Sequence, residues 1–477
     1  MFMDMNKKRK IRLVSLFVSA FIVLMILTAC GGGASRAQRA DIYAEIDEAI
    51  SRNDFVTALQ MVIDAQGAQR PLYDNNNVIS LFLNKGLLEF YAGLHADSAE
   101  SLLNAERLIQ EAFTRSISQN VASFILNDNT KEYPGEDFED IYLTVFNALN
   151  FYHQGSIEAA LVEIRKLTLP SGKLELLSRK YDDGNARIRG EHGDALNQAE
   201  SAEGASTPVS RNTTFSNSAL ARYLSILFYE ADRNPDAVRI EMEQFHAAFA
   251  NQPTIYTQSV PRAINLIAEG SGDMARLDVL TFVGLSPIKE EETLQQYWPI
   301  FTGSNRYANI NLPRLVERPN RVDRIEIVVG DETFRLELLE DMGTVIVDTF
   351  NARYTQIFLK TYIRTLVKHT ALEIAQNQAA ERGGALAGMG ARLAGGLLIE
   401  ASERADVRIS RYLPNGAFVG GVLVEPGTYT VTANFYSQGQ LVRTKTRENM
   451  EIRANRLNLA QFSNLDFIYA FSQIQGG

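Results

Sequence analysis

Residues of types that could do chemistry are few and dispersed in this 477-residue chain. The five histidines, His95, His153, His192, His246 and His369, fall in no metal-ligand spacing, and no His-Glu-x-x-His segment occurs. A Gly-x-Ser-x-Gly elbow and a phosphate-cradling glycine loop ending in Lys and Ser/Thr are also missing. Glu290, Glu291 and Glu292 could pair carboxylates for acid–base work, but such a run is expected as a solvated connector. Lys360, Arg364 and Lys368 recur every four residues and share one helix face. They form either a basic stripe for lipid headgroups or an acidic partner, or, as expected here, a solvated face opposite Leu359, Tyr362 and Leu366. Gly384 and Gly388 have the spacing of a close helix contact, expected to lie within their own domain. No catalytic, cofactor-binding or metal-binding residue is assigned, and a non-enzymatic protein is expected.

The only cysteine, Cys30, stands in a different context. Lys7, Lys8, Arg9, Lys10 and Arg12 precede an apolar stretch from Leu13 to Leu27, broken only by Ser15 and Ser19. Leu27-Thr28-Ala29-Cys30 follows. This resembles the lipobox of bacterial lipoproteins. The resemblance implies that 1–29 is a removed signal peptide and that the Cys30 thiol takes a diacylglycerol, usually with a further acyl chain on the new amino terminus. The alternative is an uncleaved membrane helix, for which the run is short, since a bilayer span needs about 20 residues. Two or three acyl chains, at about 0.8 kcal/mol per buried methylene, anchor a protein stably. Residues 30–37 then make a lipidated, glycine-rich tether. Gly31, where an aspartate would favour the inner membrane, implies the outer membrane.

Composition narrows the partners. Net charge is −10, and the removed segment carries five basic residues and one acid, leaving the mature chain near −14. That excludes general affinity for nucleic acid, which needs many Lys/Arg–phosphate contacts. A lone cysteine forms no intrachain disulfide, so stability must come from packing; hydrophobic content of 45% permits a sizeable core.

Periodicity divides the rest. Residues 38–283 read as helical. Ile42, Ile46 and Ile50 repeat every four residues, as do Phe55, Leu59 and Ile63, with Asn53-Asp54 as turn and cap between them. Three aromatic pairs, Phe90-Tyr91, Phe151-Tyr152 and Phe228-Tyr229, each precede a short polar turn and then Ala99, Ala160 or Ala237. This pattern resembles the tetratricopeptide repeat, where alanines let paired helices approach closely. The pairs lie 61 and 77 residues apart, more than one repeat, so extra segments intervene. Residues 182–216 read as a mobile polar excursion. Residues 284–321, with Pro287, Pro299, Pro313 and Pro319, read as an ordered surface connector. From 322 to 477 an α+β domain is expected. It has a hairpin at 322–338 turning on Gly330-Asp331, a long helix from Phe350 to about Ala380, and a second at 383–400. An antiparallel meander follows at 418–424, 428–436 and 441–452, where Val431 and Ala433 alternate with threonines.

Leu338-Leu339-Glu340-Asp341-Met342, Ala405-Asp406-Val407-Arg408, Tyr412-Leu413-Pro414 and Val424-Glu425-Pro426-Gly427 carry a second resemblance. Their succession is similar to a largely uncharacterised family of bacterial lipoproteins with tetratricopeptide-like helices and a C-terminal α/β module. The expected fold is therefore mainly α: a tetratricopeptide-like helical superhelix followed by a smaller α+β domain. The expected function is a lipid-anchored protein-binding scaffold of the cell envelope, held to a membrane through Cys30, needing no cofactor, and binding an envelope protein with a basic face. An envelope enzyme or ligand-binding lipoprotein is the competing reading. A long open groove favours the scaffold; a pocket with converging, pKa-shifted side chains favours its rival.

Overall fold

A computed structural model describes residues 34–117, 131–170, 172–177, 190, 213–269, 272–299, 305–402 and 404–467. Cys30 and its flanks, His192, and all of the expected excursion except 190 and 213–216 lie outside the described residues. The chain is mixed α and β, with helices in both halves and sheets built from residue 275 onward.

Among the described residues four helical hairpins come first: α1 (Arg36–Ser51) with α2 (Phe55–Gly67), α3 (Val78–Tyr91) with α4 (His95–Ile117), α5 (Asp137–His153) with α6 (Ile157–Thr168), and α7 (Ala219–Ala231) with α8 (Pro235–Asn251). Each of these helices packs on the next. One turn joins all four pairs. Asn53, Gly93, Gly155 and Arg233 take left-handed φ of 58°, 80°, 83° and 57°. The following N–H then returns to the carbonyl five residues back: Asp54 to Ala49, Leu94 to Glu89, Ser156 to Phe151, Asn234 to Tyr229, at 2.9–3.0 Å. This is the Schellman helix end, which satisfies orphan carbonyls. Asp54, Ser156 and Asn234 then accept from the N–H three residues on and start the next helix. Ala99 and Ala160 are buried behind these turns, and Ala237 is half-buried. A short helix, α9 (Ala263–Glu269), closes the series.

Two sequence expectations change next. Residues 275–283 are not helical but form strand β1 (Ala275–Val283), buried along its whole length. The segment 284–321 is not a surface connector but an antiparallel hairpin, β2 (Ile288–Pro299) with β3 (Asn305–Val316). The 322–338 hairpin forms as expected, β4 (Arg324–Val329) with β5 (Glu332–Arg335), Val329 pairing with Glu332 across Gly330-Asp331. Strand β6 (Glu337–Asp341) leads into the long helix α10 (Met342–Ser402), which kinks where Gly384 leaves helical geometry at φ 79°. Strands β7 (Gly416–Val424), β8 (Gly427–Ser437), β9 (Gln440–Ile452) and β10 (Asn458–Asn464) follow. They are not one meander. One sheet runs β10-β1-β7-β6 and another β5-β4-β8-β9, so Glu425-Pro426 carries the chain from one sheet to the other.

Three layers result. Leu277, Val279 and Val283 of β1 point at the second sheet, where they meet Ile325, Ile327, Val431, Ala433 and Phe435. Leu280 and Phe282, on the other face, join the helical core; Phe282 lies 4.9 Å from Phe146 between ring centres. The first sheet is thus covered on both faces, which explains why β1 is buried along its whole length, its charged Arg276 and Asp278 paired with one another. The helices divide accordingly. Eleven of thirteen residues of α7 are buried, against three of seventeen in α8, and α3 and α5 are likewise the more covered helices of their hairpins, so in the last three hairpins the first helix faces the sheet and the second faces water. An extended segment, Ala405–Leu413, crosses the first three hairpins. Arg411 N–H donates to Asn84 (2.8 Å), Ser410 N–H to Glu139, and Tyr91 Oη–H to the Tyr412 carbonyl (3.0 Å). Arg408 reaches the carbonyls of Asn76 and Lys131, and Arg411 pairs with Asp47 at 2.8 Å. The inner face that the sequence left open for a partner is therefore occupied by the chain itself.

Candidate functional site

The ends of the first three hairpins meet the sheets at one end of the helical layer. There the edges of the two sheets, β10 and β9, come close, and a cleft of about 430 Å³ opens between turns and edges. Phe55 opens α2, Tyr91 and Gly93 come from the second turn, and His95 and His153 from the ends of α4 and α5. Lys445, Thr446 and Arg447 face them from β9, and Gln461, Phe462 and Ser463 from β10.

The two imidazoles stack, ring centres 4.3 Å apart and planes 19° from parallel. Phe90 meets the His95 ring edge-on at 5.4 Å. Each histidine has one nitrogen committed. His95 Nδ1 lies 3.1 Å from Asn150 Oδ1; Asn150 is oriented by its Nδ2, which donates to Ser98 Oγ at 2.8 Å. Ser98 Oγ in turn donates to the Gly86 carbonyl at 2.7 Å. His95 therefore carries its proton on Nδ1, leaving Nε2 as an acceptor. His153 Nε2 lies 2.7 Å from Gln461 Oε1. Burial pushes His153 down to about 4 and His95 below its ordinary value, so both rings are neutral at pH 7.

The opposite wall is cationic. Arg443, Lys445 and Arg447 pair across to Phe435, Ala433 and Val431, whose side chains point inward, so all three basic residues share the inner face of β9. Arg443 caps the end of α1 through the carbonyls of Ser51 and Arg52. Lys445 sits 5.1 Å over the Phe55 ring, and burial together with Arg443 brings its ammonium down to about 8. Arg447 is exposed and near enough to the histidines to oppose their protonation. Among the described residues no Asp or Glu lines the cleft. Comparison with known families, curated proteins and solved structures returned no match.

Three further carboxyls with raised pKa are sealed into the joint between layers. Glu340 is fully buried on β6 and takes donors from Tyr142 (2.9 Å), Tyr256 (2.7 Å), Ser218 and the Leu220 N–H, anchoring the start of α7; burial raises its pKa. Burial and the neighbouring Glu136 raise Glu139 to about 7, while Tyr133, the Glu136 N–H and the Ser410 N–H bond it. Asp278 on β1 goes up to about 6 through burial, opposed by Arg276, which also binds Glu230 at the end of α7. These groups join layers and have no access to a ligand.

The residues singled out in the sequence fall elsewhere. Cys30 lies outside the described residues. Arg364 is buried, 2% exposed, with Lys360 and Lys368 half-buried, so the stripe is not the solvated face expected. Glu290–Glu292 lie on β2 rather than in a loop. Glu290 pairs with Arg314 at 3.1 Å, while Glu291 holds Arg36 (2.8 Å) and the Ala405 N–H (2.8 Å). Gly384 marks the kink; the surroundings of Gly388 lie outside the described side chains. His246 is exposed on α8 and His369 lies on α10, both away from the cleft. Among the described residues no cluster of three metal-ligating side chains forms, and no helix is long and apolar enough to cross a membrane. The His95–His153 pair was missed because the two lie 58 positions apart. The alternating basic residues of β9 were a legible signal that went unread.

Proposed function

We propose that this chain is a lipid-anchored protein of the cell envelope, most naturally of its outer membrane, acting as a non-enzymatic scaffold for another envelope protein. Lipid on Cys30 confines it to one membrane, as the Leu27-Thr28-Ala29-Cys30 match and the resemblance to tetratricopeptide-containing lipoproteins support. Four hairpins with one shared turn support a tetratricopeptide-like arrangement. The observation that carries the scaffold reading is the division between the covered first helices α3, α5 and α7 and the second helices of all four hairpins, each of which keeps apolar side chains outward. The latter keep Val56 and Ile63 (α2), Leu103 (α4), Val162 (α6) and Ile240 (α8) in water. With the inner face filled, this outer row is the surface left for a protein partner. The mature chain's acidity suits a partner with a basic face, governing encounter rate more than affinity.

The test is crosslinking in intact cells with full-length wild type, a Val162→Glu/Ile240→Glu variant and Cys30→Ala. One saturable crosslinked protein is expected with wild type. It is lost in the Glu variant at unchanged melting temperature, and reduced with loss of alkyne-fatty-acid labelling in Cys30→Ala. Equal labelling of Cys30→Ala removes the anchor, and a partner retained by the Glu variant removes the outer surface. The cleft favours a second reading, a ligand-binding lipoprotein, because its side chains converge and their pKa values are shifted.

A further inference from the structure

We infer that the cleft between the hairpin turns and strands β9 and β10 is a binding site for a small hydroxylated phosphate, of sugar-phosphate size. It is independent of the protein-partner surface. Three features of the cleft converge on this chemistry.

The first is charge. The chain carries a net charge of −10, yet among the described residues this cleft is lined by Lys445 and Arg447 and by no carboxylate. Among the described residues neither cation is ion-paired to an acid. Lys445 rests on the Phe55 ring, and Arg447 faces water beside neutral histidines. A half-buried ammonium held next to Arg443 without a counter-charge is costly, and an anion relieves the cost. The bland alternative, a charged edge strand that discourages sheet-to-sheet pairing, accounts for lysine on β9. It does not account for three basic residues on the inner face, two of them lining a cavity.

The second is the floor. A phosphate alone needs only donors. Here the stacked imidazoles are neutral, and His95 Nε2 is an acceptor with no partner among the described residues. An acceptor beside two cations selects an anion that also carries hydroxyl donors. The third is size and wall: about 430 Å³ lies within the usual range for small-ligand sites, and Phe55 and Tyr91, ring centres 5.3 Å apart, offer an apolar face for a sugar ring.

A phosphate next to hydroxyls is found both in soluble sugar phosphates and in glycerophosphate lipid headgroups. The experiment separates them. The full mature chain without lipid is titrated calorimetrically with glucose 6-phosphate, glucose and inorganic phosphate, and floated with phosphatidylglycerol or phosphatidylcholine vesicles. Glucose 6-phosphate is expected to bind more tightly than inorganic phosphate, and glucose not at all. Lys445→Gln/Arg447→Gln should weaken binding by at least about tenfold, the scale of one charge-assisted contact, at unchanged melting temperature. His95→Phe, which keeps the stack, should narrow the preference for glucose 6-phosphate over inorganic phosphate. Phosphatidylglycerol flotation that the double variant abolishes, without glucose 6-phosphate binding, assigns the headgroup as the source. No binding to either, binding unaffected by the double variant, or equal affinity for glucose overturns the site.

Discussion

Glu139 shows how much a single buried carboxyl does here. It has no exposed surface, and its oxygens receive Tyr133, the Glu136 N–H and the Ser410 N–H, tying α5 to the extended segment. Its pKa rises to about 7 because burial penalises the charge and Glu136 repels it. The folded state therefore holds this proton more tightly than the unfolded chain does. The resulting stability is fully present below the unfolded value near 4.5 and is lost as pH rises through about 7. At 1.36 kcal/mol per unit the contribution is up to about 3 kcal/mol. Chemical denaturation at pH 5 and pH 8 should show wild type losing stability over that interval, and Glu139→Gln should flatten the slope. An identical slope in the variant assigns the pH dependence to another group. Asp278, raised to about 6 by burial, acts in the same direction over a lower window.

The hairpin is the unit at the next scale. Its turn is local: a left-handed residue, a Schellman hydrogen bond and a capping side chain all lie within about eight positions, so the polar turns were readable from the sequence. The close helix contact behind each turn is a different matter. Ala160 is 0% exposed at the start of α6, within the helical core. Ala160→Leu adds three carbons to a packed site and should cost about 1–3 kcal/mol, seen as a lower melting temperature of the soluble mature chain. An unchanged melting curve places the extra carbons in free space and removes the close-contact account. Gly155, with open space around its missing Cβ, isolates the backbone contribution. Gly155→Ala puts a side chain at φ 83° and should cost about 1 kcal/mol without any clash.

The whole molecule is held by β1. Chain division at 283/322, natural from composition, separates β1 from its neighbours β7 and β10. Leu277, Val279, Leu280, Phe282 and Val283 are all fully buried, in two cores at once. Burying each is worth about 1.5–3 kcal/mol, and their sum is comparable with the whole stability of an ordinary domain, about 5–15 kcal/mol. Residues 322–477 expressed alone should therefore give no cooperative melt by circular dichroism, and 38–283 alone should aggregate. Co-expression should yield a complex that elutes together. A cooperatively melting 322–477 fragment refutes the shared-core account.

By itself the sequence determined what depends on near neighbours. The Ile42, Ile46 and Ile50 face of α1, the Asn53-Asp54 turn and the β4–β5 hairpin on Gly330-Asp331 could all be read. So could the alternation of Val431 and Ala433 with threonines along β8. Each follows from the geometry of one element and the side it buries. On α2 the buried face is Phe55, Ala58, Leu59 and Val62, and Ile63 points outward instead. Tertiary structure alone decided the rest, because those features depend on what lies on the far side of an element. Strand β1 alternates apolar and polar residues only over Ala275–Val279 and loses the alternation at Leu280, and it buries even Arg276 and Asp278 as a pair, so its burial on both faces is not written in its period. The meander divided because Phe418, Val422 and Val424 find their neighbours on β1 and β6, while Val431 and Phe435 find theirs on β4 and β9; strand spacing carries no record of the partner. The cleft gathers Phe55, His95, His153, Lys445 and Gln461 from five elements across more than 400 residues. Local periodicity places each side chain on its own element; only the packing of hairpin turns against two sheet edges brings them together.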